Sequence, residues 1–174
     1  MTSTAGSRAR LAPLLRQAKL AGVAHVKVIR PARVFTATWV RLKCQYGCGG
    51  YGACLTCPPH SPDPATTRRL LDEYRTILLL HLTSRWRKMR QVLPELERAA
   101  FLAGFHKAFA MPSGPCFLCK TCNLESCQHP ELARPSMEAC GIDVYRTARA
   151  SGLPIAVCAD LDADENYYGL LLLE

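Results

Sequence analysis

Acidic residues are absent from the first 62 positions of the chain. No Asp or Glu occurs before Asp63, whereas nine Lys and Arg residues do, and the whole chain carries a formal net charge of +8. Three interpretations are open for this basic half: a surface for nucleic acid or an acidic partner, local compensation of a negatively charged metal–thiolate centre, and a solvated face. The basic segment RWRKMR at 85–90 is similarly open, either as a nucleic-acid contact or as an exposed helical turn.

Long apolar runs and a secretory leader are also missing. No apolar stretch approaches the roughly 18 residues that suggest a membrane-spanning helix, and no short apolar core follows a basic start. The nucleophile elbow, the Gly-rich phosphate loop and the zinc-protease helix signature are absent as well. We therefore predict a cytoplasmic protein with no membrane span, and a hydrophobic fraction of 49% predicts a folded domain.

Cysteine, by contrast, is abundant, with ten residues in a chain of 174. Small secreted domains use cysteines as disulfide staples because they cannot bury enough core. This chain is long enough to bury a core and lacks an export signal. Reduced, metal-binding thiols are therefore favoured over disulfides.

The remaining pattern predicts an α/β fold. We predict a loose or weakly helical leader over 1–24 and a single α/β cysteine-rich domain over 25–174. The predicted strands are 25–29, 34–43, 76–82, 106–112, 153–159 and 167–174, and the predicted helices are 61–74, 86–104 and 135–152. Their alternation predicts a mostly parallel sheet with crossover helices and an antiparallel last strand. We expect two cysteine-rich metal-binding loops, after 34–43 and 106–112, to meet at one end.

The second cysteine motif lies in GPCFLCKTCNLESCQHPE, residues 114–131. Its spacing is C-x2-C-x2-C-x4-C, formed by Cys116, Cys119, Cys122 and Cys127. Structural zinc sites usually use two C-x2-C pairs separated by a longer excursion. Three cysteines at i, i+3 and i+6 instead wrap one segment around several iron corners, as in the bacterial ferredoxin run. The spacing favours a [4Fe–4S] cluster, with Zn as the alternative.

The first motif is CQYGCGGYGACLTCPP, with Cys44, Cys48, Cys54 and Cys57. Its four glycines allow the backbone to approach a bulky ligand closely. The eight cysteines of both motifs would fill two four-thiolate sites or ligate across them, so which cysteines share a cluster stays open. Cys140 and Cys158, in a predicted helix and strand, are interpreted as small buried hydrophobic residues.

At these residues the chain resembles the cysteine-rich predicted metal-binding proteins, domain of unknown function 2284. The matching stretches are KCQYGCGGYG, CPPHSPDP, GPCFLCKTC, CQHPELARPSMEACGIDV and YYGLLLLE, which span about residues 40–174. The resemblance implies metal binding through iron–sulfur clusters and leaves any reaction open. The ligands it implies are Cys44, Cys48, Cys57, Cys116, Cys119, Cys122 and Cys127. Cys54 and Cys140 stand where the family commonly has other residues.

The departure at Cys54 bears on the chemistry. Without Cys54 the first motif supplies three thiolates, which leaves an iron open to substrate or ligated by another group such as His60. Beside the second motif, His129, Glu131 and Arg134 are candidates for hydrogen bonds to sulfur or for a structural loop network.

The sequence therefore predicts an iron–sulfur protein with one or two [4Fe–4S] clusters, active in electron transfer or redox support for a partner protein. One alternative is an iron–sulfur enzyme with an open iron site. The other is a zinc-stabilised module that binds nucleic acid or an acidic partner through the basic half.

Overall fold

The computed structural model describes residues 4–83, 86–158 and 165–174, without the side chains of residues 4–8 and 86. This part of the chain contains α1 (Thr4–Leu20), β1 (His25–Ile29), α2 (Thr38–Gly47), α3 (Pro64–Asp72), β2 (Ile77–Leu82), α4 (Trp86–Leu102), β3 (Phe109–Met111), α5 (Val144–Ala150) and β4 (Tyr167–Leu172), with a 3-10 turn at Pro31–Arg33. None of these helices is both long and apolar enough to cross a bilayer.

The four strands form one sheet in the order β1-β2-β4-β3, and each neighbouring pair is antiparallel. The central strands β2 and β4 are the most apolar ones, and all of β2 is buried. Their continuous leucine runs suit these positions because both faces of a central strand are covered. β1 lies at an edge, where Lys27 and Val28 are exposed.

The predicted mostly parallel sheet is therefore wrong. β2 and β3, which α4 connects, do run in the same direction, but β4 pairs between them and is antiparallel to both. The prediction that the last strand is antiparallel is confirmed. The strand predicted over 153–159 is wrong where it can be compared, because residues 153–158 are irregular; residue 159 lies outside the described residues.

The strand predicted over 34–43 is also wrong. Only its first residues are extended, with Thr36 bridged to Ile142, and α2 begins at Thr38. Its β-branched and aromatic residues indicated a strand, but such propensities are overridden by tertiary packing. Val34 is buried before the helix and Val40 within it. Cys44 consequently lies inside a helix and not beyond the end of a strand.

Two predicted helix caps agree with the structure, but the helix predicted over 135–152 is wrong in its first part, because α5 begins only at Val144 and residues 135–143 are not helical. Asp63 Oδ1 accepts a hydrogen bond from the Thr66 amide at 2.7 Å, and Pro64 is the first residue of α3. Asp143 Oδ1 caps α5 in the same way, through the Arg146 amide at 2.9 Å. α4 continues through Pro94 as one helix.

Helices and connecting segments cover both faces of the sheet. On one face, α1 and α4 pack on β2 and β4 through Leu11, Leu14, Ala18, Leu78, Leu80, Met89, Leu93, Leu96 and Leu171. On the other face, α3, α5 and the segment before α5 supply Leu71, Met137, Ile142 and Ala148 against Ile77, Leu79, Leu170 and Leu172. Gly169 permits the close approach of α4, since a Cβ there would lie 2.4 Å from Leu93 Cδ1. This packing fixes the scaffold from which both cysteine motifs project.

Candidate metal centre

The predicted ligands divide into two groups of free thiols. A small cavity is lined by Cys54, Cys116, Cys119, Cys122 and Cys127. A larger cavity of about 590 Å³ is lined by Cys44, Cys48 and Cys57 together with other residues. Cys54 comes from the first motif but lies with the second, within hydrogen-bonding contact of Cys116 and Cys122. The two cysteine loops therefore meet, as expected.

At the small cavity, the pKa of Cys54 is shifted in the opposite direction to that of neighbouring Cys116. Burial raises its pKa, but hydrogen bonds with Thr56, Cys122 and Cys116 outweigh that effect, so the pKa of Cys54 is lowered. Its Sγ lies 3.4 Å from Thr56 Oγ1. Burial raises the pKa of Cys116, and the charge of Cys54 adds to that rise. Thiolates crowded in this way repel one another, and a bound cation would relieve the repulsion.

The three thiols at the larger cavity come from one continuous stretch. Cys44 lies in α2, Cys48 caps its C-terminal end, and Cys57 follows in the next loop. A Cβ on Gly50 would lie 3.6 Å from both Cys48 Sγ and Cys57 Sγ, so the glycine keeps the space between the two sulfurs clear. The Gly50 amide also donates a hydrogen bond to Cys48 Sγ at 3.4 Å.

Two of these thiols, Cys57 and Cys44, resist ionisation. Burial, assisted by the charges of Cys54 and Cys48, raises the pKa of Cys57 to about 11. Burial also raises the pKa of Cys44, which nearby Arg41 opposes. Because a thiol must lose its proton to bind metal, metal binding here would release protons and depend on pH.

The donor set is consistently sulfur. Among the described residues, no group of three or more His, Cys, Asp or Glu side chains is close enough to hold a single metal ion. An iron–sulfur cluster does not need its ligands to converge on one ion, because each of its thiolates binds a different iron. Thiolate donors suit iron–sulfur clusters and zinc, whereas magnesium and calcium prefer oxygen ligands.

Arg90 of α4 is a site residue that the sequence reasoning missed. Its Nε donates to Gly114 O at 3.1 Å and its Nη1 to Arg134 O at 3.0 Å, so it holds both ends of the second cysteine loop. Burial raises the pKa of Cys57 and of Cys116, one from each sulfur group, and the charge of Arg90 opposes both rises. Burial lowers the pKa of Arg90 itself, and the charges of Cys116 and Cys57 oppose this shift by raising it. Arg90 is thus a largely buried cation beside both groups.

The sequence offered one signal for this role. Arg90 directly follows Met89 in the buried stripe of α4, although the segment RWRKMR was interpreted as an exposed turn or a nucleic-acid contact. Arg85 and the side chain of Trp86 lie outside the described residues.

The residues flanking the second motif have distinct surroundings. Arg134 donates to Glu97 and to the carbonyl oxygens of Pro130 and Ala133, which places it in the loop network. His129 borders the small cavity, and its Nδ1 lies 3.9 Å from Glu131 Oε1.

Arg41, one of the cations before Asp63, holds the segment around the first motif through hydrogen bonds. Arg41 Nη1 donates to Ser61 Oγ at 3.0 Å and to Ala139 O at 2.9 Å. Ser61 Oγ in turn donates to Ala139 O at 2.6 Å. These bonds tie α2, the loop after Cys57 and the segment before α5 into one unit.

The remaining candidates differ in exposure. His60 is exposed and is not among the described residues that line either cavity. Cys140 is fully buried, as predicted, and burial raises its pKa to about 12. The prediction that Cys158 is buried is wrong, because this residue is exposed and lines the larger cavity.

Two sulfur-donor groups beside a small antiparallel sheet define a cysteine-rich protein of the metal-binding class. The sequence profile of the family described as "Predicted metal-binding protein (DUF2284)" matches residues 27–173. The chain belongs to this family, which confirms the resemblance seen in its motifs. No curated protein and no solved structure gave a significant match.

Proposed function

We propose that this protein binds two [4Fe–4S] clusters and transfers electrons to or from a partner protein. Cys116, Cys119, Cys122 and Cys127 would hold one cluster. Cys44, Cys48 and Cys57 would hold the other. The observation that carries the proposal is the division of the predicted ligands into two all-sulfur groups that meet through Cys54.

The position of Arg90 supports this proposal. Thiolate-ligated clusters are negatively charged, and their reduction adds further negative charge. A largely buried cation that acts on cysteines of both groups would favour the reduced state of each cluster. Its hydrogen bonds to Gly114 O and Arg134 O also fix the second loop, which keeps ligand geometry constant during electron transfer.

The proposal is tested by anaerobic purification followed by visible and electron paramagnetic resonance spectroscopy and by assays of iron, sulfide and zinc. About eight irons per chain are expected for two cubane clusters. Cys119→Ser and Cys48→Ser should each remove one spectroscopic signal, while Cys140→Ser, a buried non-ligand, should keep both. Colourless protein with stoichiometric zinc would contradict the proposal and favour the zinc-stabilised binding module, which predicts salt-sensitive retention on a polyanion.

The position of Cys54 favours a second candidate function, an enzyme with an open metal position at the larger cavity. Only three of the predicted ligands line that cavity, because Cys54 lies at the smaller one. In such an enzyme, Cys44, Cys48 and Cys57 would hold the group, which would supply Lewis-acid or one-electron chemistry. Cys54→Ser should then leave the metal content of the first motif unchanged. Loss of that metal would assign Cys54 as its ligand and rule out the open position.

A further inference from the structure

The larger cavity has the features of a small-molecule site. Its volume of about 590 Å³ falls within the range typical of such sites. Most of its wall is apolar or aromatic, formed by residues such as Trp39, Val40, Tyr51, Ile142, Val144 and Tyr145. Trp39 and Tyr51 are 47% and 38% exposed, so their rings present free surface. Apolar walls of this kind bind the body of an organic ligand.

Two polar atoms of the cavity residues are unpaired. Ser113 Oγ and Glu138 Oε2 are both shielded from solvent and have no hydrogen-bond partner among the described residues. Ser113 is only 3% exposed. Buried polar atoms are normally satisfied, because an unmade hydrogen bond costs free energy. An unpaired hydroxyl and an unpaired carboxyl oxygen in one cavity therefore indicate where a ligand would make hydrogen bonds.

The outer end of the cavity is basic. An open groove adjoins it and shares Trp39, Lys43 and Tyr145 with it. Lys43, Arg146 and Arg149 bring three positive charges to this groove, against the single carboxylate of Asp143. That carboxylate already caps α5. The groove therefore carries an excess of positive charge that would attract an anionic group.

We propose that this cavity binds a small organic anion with an aromatic or aliphatic body. The body lies against the apolar wall, and the anionic group lies near Arg146 and Arg149. The opposite orientation is disfavoured, because the acidic residue Glu138 lines the cavity, whereas the excess of basic residues lines the groove. An uncharged donor or hydroxyl group on the ligand completes the hydrogen bonds of Ser113 and Glu138. This site goes beyond electron transfer, and its ligand would lie in the same cavity as the group that Cys44, Cys48 and Cys57 are proposed to hold.

The test uses 1-anilinonaphthalene-8-sulfonate, an aromatic anion, and its uncharged relative N-phenyl-1-naphthylamine. Both are titrated by calorimetry into the anaerobically purified full-length chain, whose metal content is measured for each variant. We expect saturable binding of both probes at one site per chain. Val144→Trp, which fills the cavity, should weaken both by about tenfold or more. Tyr145→Ala, which removes a half-buried ring from the wall, should also weaken both.

Charge reversal distinguishes the contribution of the basic groove from that of the apolar cavity wall. Arg146→Glu should weaken binding of the sulfonate probe about fivefold and leave the uncharged probe unchanged. Lys27→Glu makes the same charge change on exposed β1 and should affect neither probe. Failure to saturate, insensitivity to both Val144→Trp and Tyr145→Ala, or equal effects of Arg146→Glu and Lys27→Glu would overturn the proposal. The iron and sulfide assays decide the cluster proposal separately, so the two can fail independently.

Discussion

Arg134 and Glu97 form a two-point ion pair, with Nη2–Oε1 at 2.5 Å and Nε–Oε2 at 2.8 Å. Their side chains are only 14% and 13% exposed. Glu97 Oε2 also accepts a hydrogen bond from the Ala110 amide at 2.7 Å. One carboxylate of α4 therefore holds both strand β3 and the end of the second cysteine loop. The ion pair thereby anchors the end of the loop that carries the second cysteine motif.

Glu97→Gln should destabilise the protein and loosen the second cysteine loop. Removing the charge leaves Arg134 largely buried without its counterion, which typically costs about 3 kcal/mol of unfolding free energy. Denaturant unfolding checks the stability, and a metal assay checks the loop, whose metal content should fall. Glu95→Gln, on the exposed face of the same helix, is the matched control. Equal effects of the two substitutions would show that the ion pair does not position the loop.

Arg90→Gln should lower the reduction potential of the bound clusters. The substitution removes a positive charge that acts on Cys57 and Cys116, and a negative cluster is then harder to reduce. Protein-film voltammetry or a dye-linked redox titration measures the change. Arg98→Gln removes an exposed charge from the same helix and should shift the potential less. An unchanged or higher potential in Arg90→Gln would remove the electrostatic role assigned to this residue.

Gly50→Val should impair metal binding by the first motif without unfolding the chain. A Cβ at position 50 lies at an ordinary contact distance of 3.6 Å from Cys48 Sγ and Cys57 Sγ, so the fold tolerates it. The added methyl groups, however, occupy space between these sulfurs. Gly49→Val is the control, because nothing lies within 4 Å of a Cβ there. Circular dichroism should be native-like for both variants, with reduced metal content only in Gly50→Val. Full metal content in both would mean that the ligand lies elsewhere.

The sequence predicted local structure better than topology. Asp63 and Asp143 mark helix starts through capping chemistry that involves only residues a few positions away. Strand order depends instead on contacts between distant segments. The apolar run at 167–174 indicated a buried strand, but nothing local indicates that it pairs between β2 and β3. The helix at Thr38–Gly47 was missed because packing outweighed a weak strand propensity.

For the candidate site, too, the sequence predicted local features better than contacts between distant segments. Cysteine spacing within each motif indicated candidate metal ligands, and family membership supports metal binding. Spacing does not indicate that Cys54 leaves its own motif to join Cys116 and Cys122, because that grouping depends on how two loops fold against each other. Arg90 and Glu97 were missed for a related reason, since both act from a helix that contains no cysteine.

A buried histidine should make stability depend on pH. His81 is 1% exposed, stacks between His25 and Tyr168, and lies with its Nε2 2.8 Å from Asn166 Oδ1. Burial lowers its pKa below the ordinary 6.5; the Asn166 hydrogen bond opposes this shift, and neighbouring His25 adds to it. Folding therefore favours the neutral ring.

The sign of the dependence follows from proton binding. Between the lowered pKa of the folded protein and 6.5, the unfolded chain binds more protons at His81 than the folded one does. The free energy of unfolding should therefore fall as the pH drops below 6.5, until the pH reaches the folded pKa. Denaturant unfolding from pH 7.5 to 5 measures this slope. It should be smaller in His81→Gln than in the wild type, whereas His106→Gln, at an exposed position, should keep the wild-type slope. A wild-type slope in His81→Gln would assign the acid sensitivity to other groups.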